Sequence, residues 1–423
     1  MLWLFLPFII GLLAGVPISI ALALGAIVFL LFSPFPLQVL TLQMYQSTTS
    51  FPLMAIPFFV LAGDLMSRTG VTFRLMRFAK IIVGRIKGGL SQVMIVTATV
   101  FAGLSGSAVA DTAAMAKVLG PDMEKEGYDK DYVASLAASC GVLGPVIPPS
   151  TMMIIYGATI NVSIGAMFVG GIIPGLIIAA FLMITTYIIA TIKNHPKGDS
   201  EFSLRILFQG LKDGALALIM PLIIIIGIRG GVFTPTEGGA IAVFYSLLLG
   251  ALVYRSLTMK DLVESLITSG ITAAIIMLIV AASNPFGWIL SIEKIPQAMA
   301  QFVTGITTNK LLILAIINVF LLAVGMFMET AAIIVLLGPI LAPIAYSVGV
   351  DPVHFGVLMV INLTIGMATP PVGVCLFVAA PIMKTTIERI TKSILPLLGA
   401  LLLALLLITY VPQLVLWLPS IIR

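Results

Sequence analysis

Long apolar runs recur along the whole sequence and constrain its fold more than any other feature. Runs of roughly 17 residues or more, long enough for a helix to cross a bilayer, are separated by Gly, Pro or short charged stretches. Runs of this length satisfy their backbone hydrogen bonds as helices rather than as barrel strands. Apolar residues make up 60% of the 423 and charged residues only 9%, against about 25% in soluble domains. The sequence therefore predicts an all-α integral membrane protein with no soluble domain.

The residue types that usually carry enzyme or metal chemistry are few and scattered. Cys140 and Cys375 lie in apolar segments, so we expect buried free thiols, and His195 and His354 have no metal-ligand spacing around them. No GxxxxGK[ST] stretch is present to hold nucleotide phosphates, which argues against a primary pump. The apolar start "MLWLFLPFII" lacks a basic region, so we expect a retained first helix rather than a signal peptide.

The basic residues are divided unequally between the loops. All but four of the 22 Lys and Arg fall on one side of the predicted spans, the exceptions being Arg229, Lys294, Lys310 and Arg423. The positive-inside rule makes the rich side cytoplasmic and places both termini in the periplasm. The stretch "RLMRFAKIIVGRIKGG" predicts an amphipathic arm on the inner membrane surface, with anionic lipid headgroups as counterions. Lipid thus accounts for the pI of about 9.2, and no nucleic acid partner is expected.

An internal duplication organises the chain. "ADTAAMAKVLGP" at 110–121 matches "METAAIIVLLGP" at 328–339, and the proline pair in "GPVIPPS" matches the pair in "GMATPPV". We predict a first repeat at 1–195, a cytoplasmic linker at 196–212 and a second repeat at 213–423. Five crossings are expected in each repeat, about ten in all. They lie at about 2–14, 16–32, 51–67, 131–160 and 165–191, then 213–230, 235–255, 263–290, 352–383 and 393–418.

An odd number of crossings turns the second repeat upside down relative to the first. Inverted-topology repeats are typical of secondary transporters, whose binding sites lie near mid-membrane at discontinuous helices. Two further segments, 88–127 and 306–349, each contain two short apolar stretches that meet at a break, "FAGLSGSAV" or "LAVGMFMET". Because irregular backbone survives at membrane depth only inside protein or beside water, we predict two re-entrant hairpins, one from each face.

A proline pair interrupts the helix that follows each hairpin. The carbonyls four residues before these prolines, on Gly144, Pro145, Gly366 and Met367, lose their intrahelical donors. A single such break is often only a kink, but two symmetric breaks beside polar hairpin tips favour a site. Unpaired carbonyls in hydrocarbon are costly, and a small hard cation can compensate for them.

Hairpin hydroxyls can complete the oxygen shell of such a cation. The candidates are Ser105 and Ser107 in the first hairpin, and Thr330 with the Gly325 carbonyl in the second. The helices that restart after each break carry partial positive charge at their N-termini and suit an anionic substrate.

Several polar residues near the breaks are candidate substrate contacts. We assign this role to Ser105, Ser150 and Asn362, although polar contact between helices is an equal alternative for Asn362 and Asn284. The matched carboxylates Asp111 and Glu329 fit an acid and base couple or a proton relay, but we favour capping of the second limb of each hairpin.

At these residues the sequence resembles a known transporter family. The stretches that carry the resemblance are "GVPISIALALGA", "FPLMAIPFFVLAGDLM", "FAGLSGSAVADTAA", "GPVIPPSTMMIIYG", "VSIGAMFVGGIIPG" and "GMATPPVGVCLFVA". Together they resemble the large membrane subunit of the tripartite ATP-independent periplasmic (TRAP) transporters, within the ion transporter superfamily. The resemblance implies a sodium-driven importer of the bacterial inner membrane that works by an elevator motion.

The same resemblance implies partners, a cargo and site residues. A soluble periplasmic protein delivers the solute, usually a carboxylate such as sialic acid or a C4-dicarboxylate. A small four-helix membrane subunit completes the transporter, and since this chain starts directly with the large subunit we expect the small one as a separate polypeptide. Sodium (Na+) sites carry over onto two groups of residues. The first group is Ser105, Ser107, Gly144, Ile147 and Pro149, and the second is Gly325, Gly366 and Thr369.

Two other functions compete with a transporter. A cation-selective channel also uses re-entrant loops, but channels usually repeat them from one side of the pore. An intramembrane acid hydrolase with Asp111 and Glu329 is the enzymatic alternative. We expect no enzyme, because the symmetric breaks suit ion binding better than acid and base catalysis.

Overall fold

The computed structural model describes residues 1–197 and 204–421, which are almost entirely helical. The first half forms α1 (Leu2–Leu13), α2 (Ile18–Leu31), α3 (Gln38–Thr48), α4 (Ala55–Arg68), α5 (Val71–Val83), α6 (Gly89–Ser105), α7 (Ala108–Lys125), α8 (Lys130–Gly141), α9 (Thr151–Ile160) and α10 (Ile164–Ile192). The second half forms α11 (Leu204–Arg229), α12 (Pro235–Leu248), α13 (Met259–Ile292), α14 (Ile295–Ile306), α15 (Lys310–Gly325), α16 (Thr330–Ser347), α17 (Pro352–Gly366), α18 (Val374–Ile382), α19 (Ile387–Tyr410) and α20 (Gln413–Ile421). The prediction of an all-α membrane fold is confirmed.

Side-chain caps fix many of the helix starts. Thr234 and Glu237 form a reciprocal capping box at α12, with Pro235 in the first helical position. Asp351 accepts from two backbone N–H groups at the start of α17. Both starts were readable from the sequence, because these residue types stand directly before an apolar run.

Six helices in the described part of the chain are long and apolar enough to cross a membrane. The limbs of each hairpin segment and the parts of each proline-interrupted helix are separate helices, and of these only α16 is among the six. We call α6–α7 hairpin 1 and α15–α16 hairpin 2. Residues 142–150, between α8 and α9, form break 1, and residues 367–373, between α17 and α18, form break 2.

Three elements differ from the sequence prediction. The helices Gln38–Thr48 and Ile295–Ile306 were not predicted, since neither has a long apolar run. Helix α3 packs on α13, where the amide of Asn284 donates to the Gln43 carbonyl at 2.8 Å. The predicted helix at 393–418 is wrong as a single rod, because α19 ends at Tyr410 and α20 starts after Pro412. Helix α11 begins before the predicted 213–230, and residues 198–203 of the predicted linker lie outside the described residues.

The hairpins and broken helices share one large core. Side chains of α6 to α9 and α15 to α18 pack in a single buried cluster, whereas α1 and α2 form a smaller cluster with the end of α13. The predicted amphipathic arm is α5, which buries Leu75 and Ala79 while Phe73 and Arg77 stay exposed. Both breaks therefore lie within the most deeply packed part of the molecule.

Candidate functional site

The tip of hairpin 1 packs directly on break 1. A Cβ atom built on Gly144 would lie 2.6 Å from Asp111 Oδ2 and 3.0 Å from the Ser107 carbonyl oxygen. A Cβ on Gly103 would lie 3.1 Å from the Pro148 carbonyl oxygen. Only glycine allows backbone and carboxylate oxygens to approach this closely, so the glycines of "FAGLSG" and "VLGP" position the contact.

Polar atoms of the hairpin 1 tip converge on Asp111. The Ser105 hydroxyl donates to Asp111 Oδ1 and accepts from the Ser107 N–H at 3.3 Å. The Asp111 side chain is fully buried, and no described residue donates a hydrogen bond to its Oδ2 atom. Its second oxygen, aimed at Gly144, therefore remains available for a cation.

The structure corrects the predicted capping role of the two carboxylates. The cap of α7 is Ser107, whose hydroxyl accepts from the Ala110 N–H at 3.3 Å, and Asp111 lies one turn inside the helix. Glu329 does occupy the N-cap position of α16, but its side chain makes no cap hydrogen bond. Asp111 is buried and Glu329 is exposed, and no hydrogen bond joins them, so the described structure assembles no acid and base couple.

Hairpin 2 and break 2 make an equivalent contact. A Cβ on Gly366 would lie 2.7 Å from the Gly325 carbonyl carbon and 3.0 Å from its oxygen. The Gly373 N–H donates to the Met326 carbonyl at 3.3 Å, and the Thr330 hydroxyl lies 3.2 Å from the Met367 sulfur. The second group of predicted residues is thus also gathered around a hairpin tip.

The carbonyl oxygens at the breaks are less free than the prolines suggested. Thr369 N–H donates to the Gly366 carbonyl and Cys375 N–H to the Met367 carbonyl, both at 2.9 Å. The Ser150 hydroxyl donates to the Pro145 carbonyl. The prediction of unpaired carbonyls at these three positions is wrong, because Ser150 and Thr369, within the breaks, and Cys375, just after break 2, supply the missing donors.

Other carbonyls of break 1 do remain without a donor. No described residue donates a hydrogen bond to the carbonyl oxygens of Gly144, Ile147 or Pro149. These are the predicted ligands from break 1, and they lie on the segment of irregular backbone that contacts the hairpin 1 tip. Break 1 therefore offers three carbonyl oxygens that no described donor occupies.

The remaining candidate residues have structural contacts. Ser150 caps α9 and accepts from the Met153 N–H at 3.2 Å. Thr369 donates its hydroxyl hydrogen to the Ile365 carbonyl at 2.7 Å. Asn362 is fully buried and donates to Asn318 Oδ1 at 2.9 Å, which is polar contact between helices, while its own Oδ1 has no donor among the described residues, so contact with solute stays a prediction.

The sequence reading missed a cavity between the hairpin region and the outer helices. It has a volume of about 370 Å³, and its wall includes Gln43, Thr159, Ser283, Asn284 and Trp288. Four elements contribute to it, α3, α9, α13 and α16. In the sequence, only the polar residues inside α13, notably Asn284, indicated this cavity, because α3 itself was not predicted.

Comparison with known proteins places the chain in a family. The sequence profile described as "Tripartite ATP-independent periplasmic transporter, DctM component" matches residues 5–414. The chain belongs to this family. The resemblance seen in its motifs is therefore confirmed, and it is a TRAP transporter large permease, a multi-pass membrane protein.

Relatives of this TRAP permease are named for different solutes, and not all of them have its length. It is 40% identical over 411 residues to the sialic acid TRAP transporter large permease protein SiaM of Vibrio cholerae, covering 96% of this chain and 95% of SiaM. It is 38% identical over 396 residues to the C4-dicarboxylate large permease DctM of Pseudomonas aeruginosa, covering 94% and 92%. It is 41% identical to the isethionate TRAP transporter permease protein DctMQ of Oleidesulfovibrio alaskensis over 96% of its length, but spans only 64% of that protein.

A solved structure shows the same fold. The YdaH transporter of Alcanivorax borkumensis superimposes with a TM-score of 0.62 over 91% of this chain and 89% of YdaH. The two sequences are only 14% identical, so the likeness concerns the fold alone.

Proposed function

We propose that this TRAP permease imports a small anionic solute, delivered by a periplasmic binding protein, by coupling its movement to sodium ions. The observation that carries the proposal is the oxygen cluster where the hairpin 1 tip meets break 1. Sodium is a small hard cation that binds oxygen ligands, and irregular backbone in transporters supplies them.

The first sodium site combines the hairpin 1 tip with break 1. Its ligands are the Ser105 hydroxyl and the carbonyl oxygens of Gly144, Ile147 and Pro149, to which we add the carboxylate of Asp111. The addition rests on the buried, unpartnered Oδ2 atom that points at Gly144. A buried carboxylate is costly without a counterion, and a bound cation removes that cost. Ser107 supports the site as the cap of α7.

A second sodium site belongs at hairpin 2 and break 2. The close backbone contact between Gly325 and Gly366 brings the tip onto the break, and Thr330 and Thr369 lie beside it. This site offers hydroxyl and carbonyl oxygens without a buried carboxylate. We expect it to bind sodium more weakly than the first site, because it lacks the negative charge.

The cargo is a small carboxylate such as sialic acid or a C4-dicarboxylate. Relatives named for these solutes cover nearly the whole chain. Isethionate, named for another relative, is a sulfonate, so the shared chemistry is a small organic anion. The N-terminus of α9, which restarts after break 1 at the capping Ser150, carries the partial positive charge that suits such an anion.

The proposed transporter contains further parts and a moving domain. The partners are a small four-helix membrane subunit and a soluble periplasmic solute-binding protein. The two repeats, 1–195 and 213–423, are inverted in the membrane, and the hairpins with the broken helices move as an elevator against the other helices. Some members fuse the two membrane subunits, which fits the greater length of the DctMQ relative.

Uptake into proteoliposomes tests the function. Vesicles contain this chain with its partner subunit, and the binding protein is supplied outside with a radiolabelled carboxylate. We expect uptake against the solute gradient only when sodium is higher outside, and no uptake when potassium replaces sodium. Uptake that ignores the sodium gradient would contradict the coupling.

The same vesicles distinguish a transporter from the cation channel. A channel conducts sodium without solute and without the binding protein. We expect sodium entry to require the solute and the binding protein together, with a fixed ratio of ions to solute. Sodium entry at the same rate in the absence of solute would favour the channel.

A further inference from the structure

A basic cavity lies where α4 turns into α5, apart from both hairpin tips. Its volume is about 520 Å³, and Arg68, Arg74 and Arg77 line it together with Phe73 and Ser256. The distribution of Lys and Arg places this end of α4 at the cytoplasmic membrane surface. Three guanidinium groups around one cavity are an uncommon concentration of positive charge in a chain with 9% charged residues.

Contacts within the protein hold two of these arginines in place. Arg68 pairs with Asp64 at 2.9 Å and with Glu264 at 2.8 Å, so its charge is compensated. The Arg74 guanidinium donates to the Thr69 carbonyl at 3.1 Å and lies 3.8 Å from the centroid of the Tyr254 ring. These contacts therefore fix the position of the Arg74 guanidinium group, but they do not neutralise its positive charge.

Among the side chains that the structure describes, no carboxylate balances the charges of Arg74 and Arg77. Neither guanidinium lies within 4 Å of a carboxylate among the described side chains, and Arg77 is exposed. Helix α5 begins beside the cavity at Val71, and no side chain caps its first N–H groups. The partial positive charge of this helix end adds to that of the two arginines.

The ligand chemistry that fits this arrangement is a phosphate group. Guanidinium groups bind phosphate oxygens through paired, charge-assisted hydrogen bonds. The Phe73 side chain, 55% exposed, lines the same cavity and offers apolar contact that inorganic phosphate cannot use. At the inner membrane surface, a phosphate joined to an apolar chain is a phospholipid, and the positive charges of the arginines favour one with net negative charge over a zwitterionic one.

We propose that the cavity at the α4–α5 junction binds the headgroup phosphate of an anionic phospholipid, with Arg74 and Arg77 as its donors. The lipid fixes the point where the chain leaves α4 for the amphipathic arm. Because α5 leads directly into α6, the bound lipid anchors the cytoplasmic base of hairpin 1 to the membrane.

Lipid retention by the purified full-length chain tests this site. Phosphatidylglycerol or phosphatidylcholine is added in neutral detergent, and native mass spectrometry counts the bound lipids. We expect Arg77→Gln to weaken phosphatidylglycerol binding about tenfold, the effect of losing one charge-assisted hydrogen bond. No hydrogen bond or ion pair of the described residues involves the Arg77 side chain, which is exposed. Lys80→Gln is the matched control, since it removes the same charge from the same helix outside the cavity wall.

Each outcome decides the proposal. We expect the wild type to retain more phosphatidylglycerol than phosphatidylcholine. Loss of this preference in Arg77→Gln, together with its survival in Lys80→Gln, supports the site. An equal loss in the two variants would mean diffuse attraction along the arm and would overturn it. Displacement of phosphatidylglycerol by millimolar inorganic phosphate would show that free phosphate is the ligand and would overturn the lipid assignment.

Discussion

Single residues decide the chemistry of the proposed ion site, and Asp111 is the most informative of them. It is fully buried, one oxygen accepts from Ser105, and the other has no donor among the described residues. A structural carboxylate in a core normally has all its oxygen atoms satisfied. An unpaired oxygen beside a glycine and several free carbonyls is typical of a cation ligand instead.

Replacing this carboxylate tests that assignment. We expect Asp111→Asn to raise the sodium concentration for half-maximal uptake at least about tenfold, because a charged ligand is lost. Glu329→Gln is the matched control and should leave the sodium dependence close to that of the wild type, because Glu329 is exposed. Equal sodium dependence in the two variants would mean that Asp111 has only a structural role.

The sequence could predict which residues meet, but not every role they have. Ser105 and Gly144 were found because hydroxyl, glycine and proline patterns mark the tip and the break. The sequence favours capping for Asp111, because a carboxylate in the first turn of a helix has the same sequence spacing whether it caps the helix or binds an ion. Only the packing of Gly144 against it separates the two roles.

Pairs of elements hold the site together, above all each hairpin and its break. At break 2 the contact is between backbones, because Gly325 and Gly366 approach each other without side chains. The prolines were readable as breaks, but the donors to the freed carbonyls come from residues in or just after the break, such as Thr369 and Cys375. Sequence alone could not predict how the chain folds back, because that depends on tertiary packing.

A single methyl group tests the contact at hairpin 2. Gly366→Ala places a Cβ atom 2.7 Å from the Gly325 carbonyl carbon, and we expect a loss of about 1–3 kcal/mol in the free energy of unfolding. Thermal unfolding in detergent measures it as a lower midpoint. Gly399→Ala in α19 is the control, since nothing lies within 4 Å of its Cβ position. Equal midpoints for the two variants would contradict the close contact.

A second pairing joins the end of α10 to the base of hairpin 1. The His195 ring lies 4.5 Å from the Tyr128 ring and 5.2 Å from the Tyr132 ring, centroid to centroid, and the Pro196 carbonyl accepts from the Gly88 N–H at 3.1 Å. Burial and the nearby Lys193 ammonium lower the pKa of His195 from its ordinary value. Residues 193–197 thus hold a neutral histidine against the hairpin.

This histidine makes stability depend on pH. In the unfolded chain the pKa of His195 returns to about 6.5, so the unfolded state binds the proton more tightly. The contribution of neutral His195 to the free energy of unfolding is therefore fully present above that pH and decreases as the pH falls below it. We expect the thermal midpoint of the wild type to drop more than that of His195→Asn between pH 7.5 and pH 5.5. A parallel drop in both proteins would contradict this role.

The predicted arrangement of the whole molecule depends on hairpins that enter and leave on one face. The element order was largely predictable, because hydropathy and proline breaks mark most spans. Helices α3 and α14 were missed, since their short, less apolar sequences form helices mainly through packing on neighbours. The inverted arrangement of the two repeats remains a prediction.

Labelling of introduced cysteines tests the arrangement. Ile86→Cys and Lys125→Cys flank hairpin 1, while Thr308→Cys and Ser347→Cys flank hairpin 2. We expect a membrane-impermeant maleimide to label the first pair from the cytoplasm and the second from the periplasm. The native Cys140 and Cys375 are fully buried and should stay unlabelled. Labelling of one pair from opposite faces would show that the segment between them crosses the membrane an odd number of times, which a re-entrant hairpin does not.

Direct measurement of radioactive sodium binding to the purified chain is the most decisive test of the ion site. The oxygen cluster between hairpin 1 and break 1 predicts saturable binding that potassium does not displace and that Ser105→Ala weakens. It also predicts that Asp111→Asn removes the tighter of two binding components. Absence of saturable sodium binding in the wild-type protein, measured in detergent and again in lipid, would contradict the account.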